Sequence, residues 1–202
     1  MKSPFQHWAE TIARRHGRKR GWLLHHVWRA IFRLGGLRQL QAIDFGRVAR
    51  LVFICGGNIC RSPYAEARAR SAHLPAVSFG LDARPNCSAD STAVRVAAAR
   101  GLDLRRHAAQ PLRGQLFKSS DLLLAMEPGQ VRRLLAIARR WGAQATLLGL
   151  WASPERAYLQ DPYGLSEDYF HTCFSVIDGA ISAIHRRWTP EQSKDAERRA
   201  TM

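Results

Sequence analysis

From residue 47 onward, short apolar runs alternate with stretches whose apolar positions recur at helical spacing. Residues 51–54 (Leu-Val-Phe-Ile) are the first run and read as a buried strand. Ser62-Pro63 then opens a helix, with Ser62 as N-cap and Pro63 at the first helical position. Residues 77–79 predict a second strand, and residues 88–100 a helix that Gly101 stops. A third strand is predicted over 122–125, a third helix over 128–141 and a fourth strand over 145–148. Asp161-Pro162-Tyr163-Gly164 reads as a turn. A long last helix covers 166–188, with Phe170, Phe174, Ile177, Ile181 and Ile184 at helical spacing, and residues 189–202 are a polar tail. Strand and helix in alternation predict right-handed βαβ units. The expected fold is one α/β domain over residues 46–188, with a four-stranded parallel sheet flanked by helices on both faces. Ligands of such sheets bind at the carboxyl ends of the strands, which directs attention to the loop after the first strand.

Residues 1–45 have a different character. Over residues 22–34, Leu23, Leu24, Val27, Trp28, Ile31 and Leu34 share one broad helical face. His25, His26, Arg29 and Arg33 lie on the other, and Gly35-Gly36 ends the segment. Residues 1–50 hold eleven Lys and Arg against Glu10 and Asp44, so much of the chain's net charge of +15 sits at this end. The segment reads as a basic amphipathic helical extension. Two readings of it stand open: peripheral contact with a membrane or partner through residues 21–34, or docking on the domain's own surface.

Composition narrows the class. With 46% hydrophobic and 23% charged residues, the 202-residue chain is neither disordered nor collagenous. No run reaches the ~18 apolar residues of a membrane-spanning helix, and the N-terminus lacks the pattern of a secretory signal. Four cysteines make no disulfide framework, so a reducing cytoplasm is the expected location. The basic balance could suit nucleic acid, but no zinc spacing, RNP-like aromatic pattern or helix-turn-helix accompanies it, and no nucleic-acid partner is expected.

The loop after the first strand reads Cys55-Gly56-Gly57-Asn58-Ile59-Cys60-Arg61-Ser62-Pro63. Between a strand and a helix N-terminus, its N–H groups can curl inward and form an anion cradle. Arg61 supplies a planar fork for two phosphate oxygens. The same N–H groups favour a thiolate at the base of the cradle, a nucleophile aimed at phosphorus. Ser62 can donate to that sulfur and help it leave. A cysteine phosphatase also needs an acid to protonate the leaving oxygen and a base to activate water, and one carboxyl can serve both steps. Asp161, held extended by Pro162, is the candidate.

These residues resemble the low-molecular-weight protein tyrosine phosphatases over roughly residues 48–188. Val52, Phe53, Cys55, Gly57, Asn58, Cys60, Arg61, Ser62 and Pro63 match the family's loop motif, and Asp161-Pro162 its second motif. Ser78 and Gly80, Gly101 to Leu104, His107, and Asp121 to Met126 match further. The resemblance implies the phosphotyrosine phosphatase I-like fold, with Cys55 as nucleophile, Arg61 as phosphate clamp and Asp161 as acid/base. It implies that Gly56, Gly57, Asn58, Ile59, Cys60 and Ser62 surround the phosphate. It implies that Asn58 shapes the loop through Ser78 and His107. The partner it implies is a phosphotyrosine protein, in a bacterium a tyrosine autokinase of polysaccharide export. No cofactor and no metal site are expected.

The chain departs from the family pattern at Phe79, Gly56 and Gln110, and residues 81–85 lack the aromatic that often walls the cleft. Tyr163 is the remaining wall for an aromatic ring. Cys60 has two roles open to it: packing under the loop, or a reversible disulfide with Cys55. An arsenate reductase of this fold would need two further cysteines close together, whereas Cys87 and Cys173 are far apart in sequence. A protein-arginine phosphatase tends to carry Thr where this chain has Ile59. A non-catalytic phosphate-binding regulator, recruited by the basic helix, is the alternative of a different class.

Overall fold

The computed structural model describes residues 3–188. The predicted tail lies outside them. The strands are β1 (Arg50–Cys55), β2 (Ala76–Gly80), β3 (Asp121–Ala125) and β4 (Gln144–Leu147). They form one parallel sheet in the order β2-β1-β3-β4. The central strands are apolar along their length because both faces are covered: Leu51 to Ile54 and Leu122 to Ala125 are fully buried. The helices α3 (Arg61–Ser71), α4 (Ser91–Ala98), α5 (Pro128–Trp141) and α6 (Glu167–Arg187) supply the cover. Tyr64 of α3 stacks on Phe174 of α6, with ring centroids 3.7 Å apart, which fixes these two helices together.

Chain order decides where the site sits. The chain enters the sheet at its centre in β1, adds β2 on one side, then crosses to β3 on the other. The switch point therefore lies between the carboxyl ends of β1 and β3, where the loops after Cys55 and after Ala125 diverge.

Most boundaries follow local chemistry. Pro128 opens α5, and Gly142, in the left-handed region at φ +71°, closes it. α4 starts later than the expected residue 88 because Asp90 takes the N-cap, its Oδ1 accepting from Thr92 N–H (2.9 Å) and Ala93 N–H (3.0 Å).

The extension holds two helices where one was expected, α1 (Pro4–His16) and α2 (Lys19–Arg33). Ser3 and Gln6 form the capping box that starts α1: Gln6 N–H donates to Ser3 Oγ and Ser3 N–H to Gln6 Oε1. Gly17, at φ +77°, turns the chain into α2. The hairpin docks on the domain. Ile12 is buried, and Thr172 Oγ1 of α6 donates to the Arg14 carbonyl at 2.8 Å. The apolar face expected over residues 22–34 is split: Trp28 and Ile31 pack toward the core, while Leu23, Val27 and Leu34 are exposed.

Histidines line this seam. The His16 ring lies 4.9 Å from His25 and 6.1 Å from His26. Burial, and then Arg156, push His16 and His25 from 6.5 down to about 4. Arg15, His26 and Arg29 of the hairpin, Glu155 beside Arg156, and Asp168 and His171 of α6 also face it. Undocking the hairpin would remove Arg156 and the burial that α6 and residues 152–156 impose, raising both affinities toward the ordinary value, so the undocked state binds more protons between 6.5 and about 4. Docking is then complete above that window and weakens as pH falls through it. Hydrogen exchange checks this: α1 amides, corrected for intrinsic rates, should lose protection at the acid end while the sheet does not. Equal protection across the window contradicts it.

Candidate active site

Between the end of β1 and the start of α3, residues 56–60 must curl. The carbonyls of Cys55, Gly56, Asn58 and Ile59 are bonded to residues outside the loop. Leu81 N–H donates to the Cys55 carbonyl (2.9 Å), Asp82 N–H to that of Gly56 (3.0 Å) and Asp90 N–H to that of Ile59 (2.9 Å). His107 Nε2 meets the Asn58 carbonyl at 2.6 Å. Carbonyls turned outward leave the neighbouring amides turned inward, toward the thiol. The Asn58 N–H lies 3.3 Å from Cys55 Sγ.

Asn58 holds the curl. It sits in the left-handed region at φ +55°, a conformation asparagine tolerates better than most residues. Its side chain is fully buried and fully bonded. Nδ2 donates to Ser62 Oγ (2.8 Å) and Ser78 Oγ (2.9 Å), and Oδ1 accepts from Gln110 N–H (2.8 Å). His107 thus supports the backbone of Asn58 and not its side chain. Gly80 is needed beside it: a Cβ there would lie 2.7 Å from the Gly56 carbonyl oxygen and 2.9 Å from Asn58 N.

Ser62 is not the helix N-cap that its place before Pro63 suggests. α3 begins at Arg61, with Cys60 at the cap position. The Ser62 hydroxyl accepts from Asn58 Nδ2, meets Cys55 Sγ at 3.1 Å and donates toward the Phe79 carbonyl at 3.4 Å, and it is therefore unavailable to cap the helix.

Arg61 is 1% exposed and lies between two carboxylates. Its Nη2 meets Asp161 Oδ2 at 2.6 Å, and its Nη1 pairs with Glu127 and donates to the Leu159 carbonyl at 2.8 Å. Burial alone would lower its proton affinity, but Asp161, Glu127 and Cys55 outweigh this and raise it, so Arg61 stays charged. Its Nε is buried with no partner among the described residues, which leaves one donor of the fork for a ligand.

Glu127 is a site residue that the sequence pattern does not single out. It lies two residues past the end of β3, at the other side of the switch point, and its neighbourhood to Arg61 comes from the crossover alone. The only local signal is a carboxylate between a buried strand and a proline-started helix.

Asp161 is partly exposed, as an acid/base needs, and its Oδ1 accepts from Tyr163 N–H at 3.2 Å. Tyr163 is 61% exposed at the rim. Cys60 is buried, and burial raises its thiol well above the ordinary range, with Asp161, Asp90 and Cys55 adding to the effect. It therefore stays protonated, and Cys55 is the loop sulfur that the Asn58 N–H faces. Cys173 is buried in α6 and pushed up to about 12, chiefly by that burial. Cys87 is half-buried on the loop before α4, and all four cysteines are free thiols.

A family model described as low molecular weight phosphotyrosine protein phosphatase matches residues 50–195. The phosphatase Etp of Escherichia coli K12 is 35% identical over 140 residues, covering 68% of this chain and 93% of that protein. The crystal structure of the Erwinia amylovora tyrosine phosphatase AmsI superposes with a TM-score of 0.63 at 32% identity, over 69% of this chain and 93% of that one. Wzb of Vibrio vulnificus, solved with benzylphosphonate, gives a TM-score of 0.59 at 28% identity, over 69% and 99% of the two chains.

Proposed function

The chain belongs to the low molecular weight phosphotyrosine protein phosphatase family and is a protein-tyrosine phosphatase; from that premise we propose that it works through a phosphocysteine on Cys55. The observation that carries this reading is the buried Arg61 guanidinium, bonded to Asp161 beside the Cys55 loop with one donor left free. Inward amides and Arg61 hold the phosphate of the ester. Cys55 Sγ attacks phosphorus as the phosphorus–oxygen bond to tyrosine breaks, and Asp161 gives its proton to the departing phenolate. Water then attacks phosphorus, Asp161 takes a proton from it, and the sulfur leaves with the Ser62 hydroxyl donating to it. Inorganic phosphate is released and both groups return to their starting states.

The substrate class follows from reach and shape. The sulfur lies at the base of a loop, so a long flat side chain reaches it, and the exposed Tyr163 offers a ring to stack on. Ile59, half-buried in the loop beside Gly57, is larger and more apolar than the Thr of arginine phosphatases, which favours phosphotyrosine over phosphoarginine. A matched peptide panel tests this: turnover should be highest for phosphotyrosine, and preference for phosphoarginine or phosphoserine would overturn it.

The extension supplies location. Phe5, Trp8, Leu23, Val27 and Leu34 are exposed on the hairpin, with the Trp8 and Trp22 rings 6.4 Å apart. At the turn Arg18, Lys19 and Arg20 are exposed, with Lys19 Nζ 5.8 Å from the Phe5 ring centroid. An apolar face with a cationic rim complements an anionic bilayer surface, where each near-surface cation contributes ~1 kcal/mol. The full chain should sediment with liposomes in proportion to their anionic content, and Leu23→Ser/Val27→Ser should stay in the supernatant. Equal behaviour of the two proteins at low salt would overturn the membrane contact.

A further inference from the structure

We propose that the hairpin turn, residues 14–21, is a positioning element for Asp161, so that proton delivery to the leaving group depends on a segment outside the family domain. This rests on the phosphocysteine mechanism. The matched family region starts at residue 50, and Etp aligns over 93% of its own length with only 68% of this chain. The hairpin is thus an addition to a domain whose chemistry is complete elsewhere.

Asp161 lies in the middle of the connection from β4 to α6. The hairpin touches that connection on both sides of it. Arg156 Nη2 donates to the Arg15 carbonyl at 2.7 Å and approaches His16 Nδ1 at 3.4 Å. Gly21 packs on Gln160, the residue before Asp161: a Cβ on Gly21 would lie 3.2 Å from Gln160 Oε1. Gly17 packs on Leu165 so closely that a Cβ there would lie 2.5 Å from Leu165 Cδ1. Gln160 passes the contact inward, since its Oε1 accepts from Tyr158 Oη (3.0 Å) and its carbonyl from Tyr169 Oη (3.1 Å). Beyond the turn, the seam is loosely filled: a cavity of about 970 Å³ opens between α1, α2 and α6. The turn contacts therefore carry much of the docking.

The contacts on Asp161 itself are few. Within the domain its carboxylate meets Arg61 and the Tyr163 N–H, and Leu159 two residues earlier is held by Arg61 Nη1 and the Met126 carbonyl; the hairpin adds the contacts at Arg156, Gln160 and Leu165 that hold the rest of the connection. An acid must sit within hydrogen-bond reach of the leaving oxygen, and a displacement near an ångström is costly. Arg156 is the positioning residue through which the turn acts most directly.

The experiment compares kcat/KM for phenyl phosphate, whose leaving group needs the proton, with that for 4-nitrophenyl phosphate, whose leaving group needs it little. In full-length Arg156→Gln/Thr172→Val, the phenyl ester should lose about tenfold to a hundredfold, and the nitrophenyl ester only a few-fold. Arg156→Lys, which can still donate to the Arg15 carbonyl, should restore most of the difference. A purely structural role would lower both esters together. Equal losses, or none in a folded variant, overturn the proposal. If the double variant does not fold, Gly17→Ala, which strains the turn at φ +77° and pushes on Leu165, takes its place in the same comparison: an unequal loss supports the proposal and an equal loss overturns it. A wild-type chain that hydrolyses neither ester would instead overturn the phosphatase mechanism.

Discussion

Cys55→Ser is expected to reduce hydrolysis to background while phosphate still binds. The proposed anion site consists of backbone amides and the Arg61 fork, neither of which the substitution touches. The carbonyl bonds from Leu81, Asp82, Asp90 and His107 that curl the loop also survive. A serine hydroxyl in the same place is barely ionised at neutral pH, and the hydrogen-bond partners of that position among the described residues, the Asn58 N–H and the Ser62 hydroxyl, are not bases that could activate it. Turnover of 4-nitrophenyl phosphate, with phosphate binding by calorimetry on the same protein, checks both halves. Appreciable turnover would remove Cys55 as the nucleophile; loss of phosphate binding would mean that the cradle needs the sulfur.

Asp161→Asn should lower the rate by ~10²–10⁴-fold, the usual contribution of a positioned acid or base. Asparagine keeps one acceptor oxygen, enough for the Tyr163 N–H or for Arg61, which use separate oxygens of Asp161, and Arg61 keeps Glu127 as its charge partner. The loss should therefore fall on chemistry and not on binding. It should deepen as the leaving group becomes more basic, because a phenolate that leaves poorly needs the missing proton most. A leaving-group series reads this as a steeper dependence of kcat/KM on leaving-group pKa. A parallel shift of the whole series would count against Asp161 as the acid.

The catalytic loop is legible in the sequence because its parts are local. A buried strand, a glycine-rich turn and a proline-started helix lie within residues 51–63, and the chemistry follows from that order. The sheet is legible for a similar reason, since two-sided burial writes itself as the unbroken apolar runs of β1 and β3. Ser62 misleads because a serine before proline looks like an N-cap; only the positions of Asn58 and Cys55 show that its hydroxyl is occupied. Glu127 cannot be read from local pattern at all. It lies 66 residues from Arg61, and the crossover from β2 to β3 is what joins them. α1 does carry a signal, the Ser3 and Gln6 capping box ahead of an apolar stripe, but its many polar residues hide it. That the hairpin turn touches the residues around Asp161 depends on tertiary docking, which no local pattern records.

The most direct test of the mechanism is to trap its intermediate. Asp161→Asn should form the phosphoenzyme from a substrate with a good leaving group and break it down slowly, because the base for the second step is gone. Rapid quenching under conditions that preserve thiophosphate bonds, followed by peptide mass spectrometry, locates the phosphoryl group. Phosphate is expected on the peptide containing Cys55, bound to sulfur, and none when Cys55 is also replaced by serine. Phosphate on another residue, or turnover with no covalent phosphoenzyme at any time, would contradict the phosphocysteine mechanism.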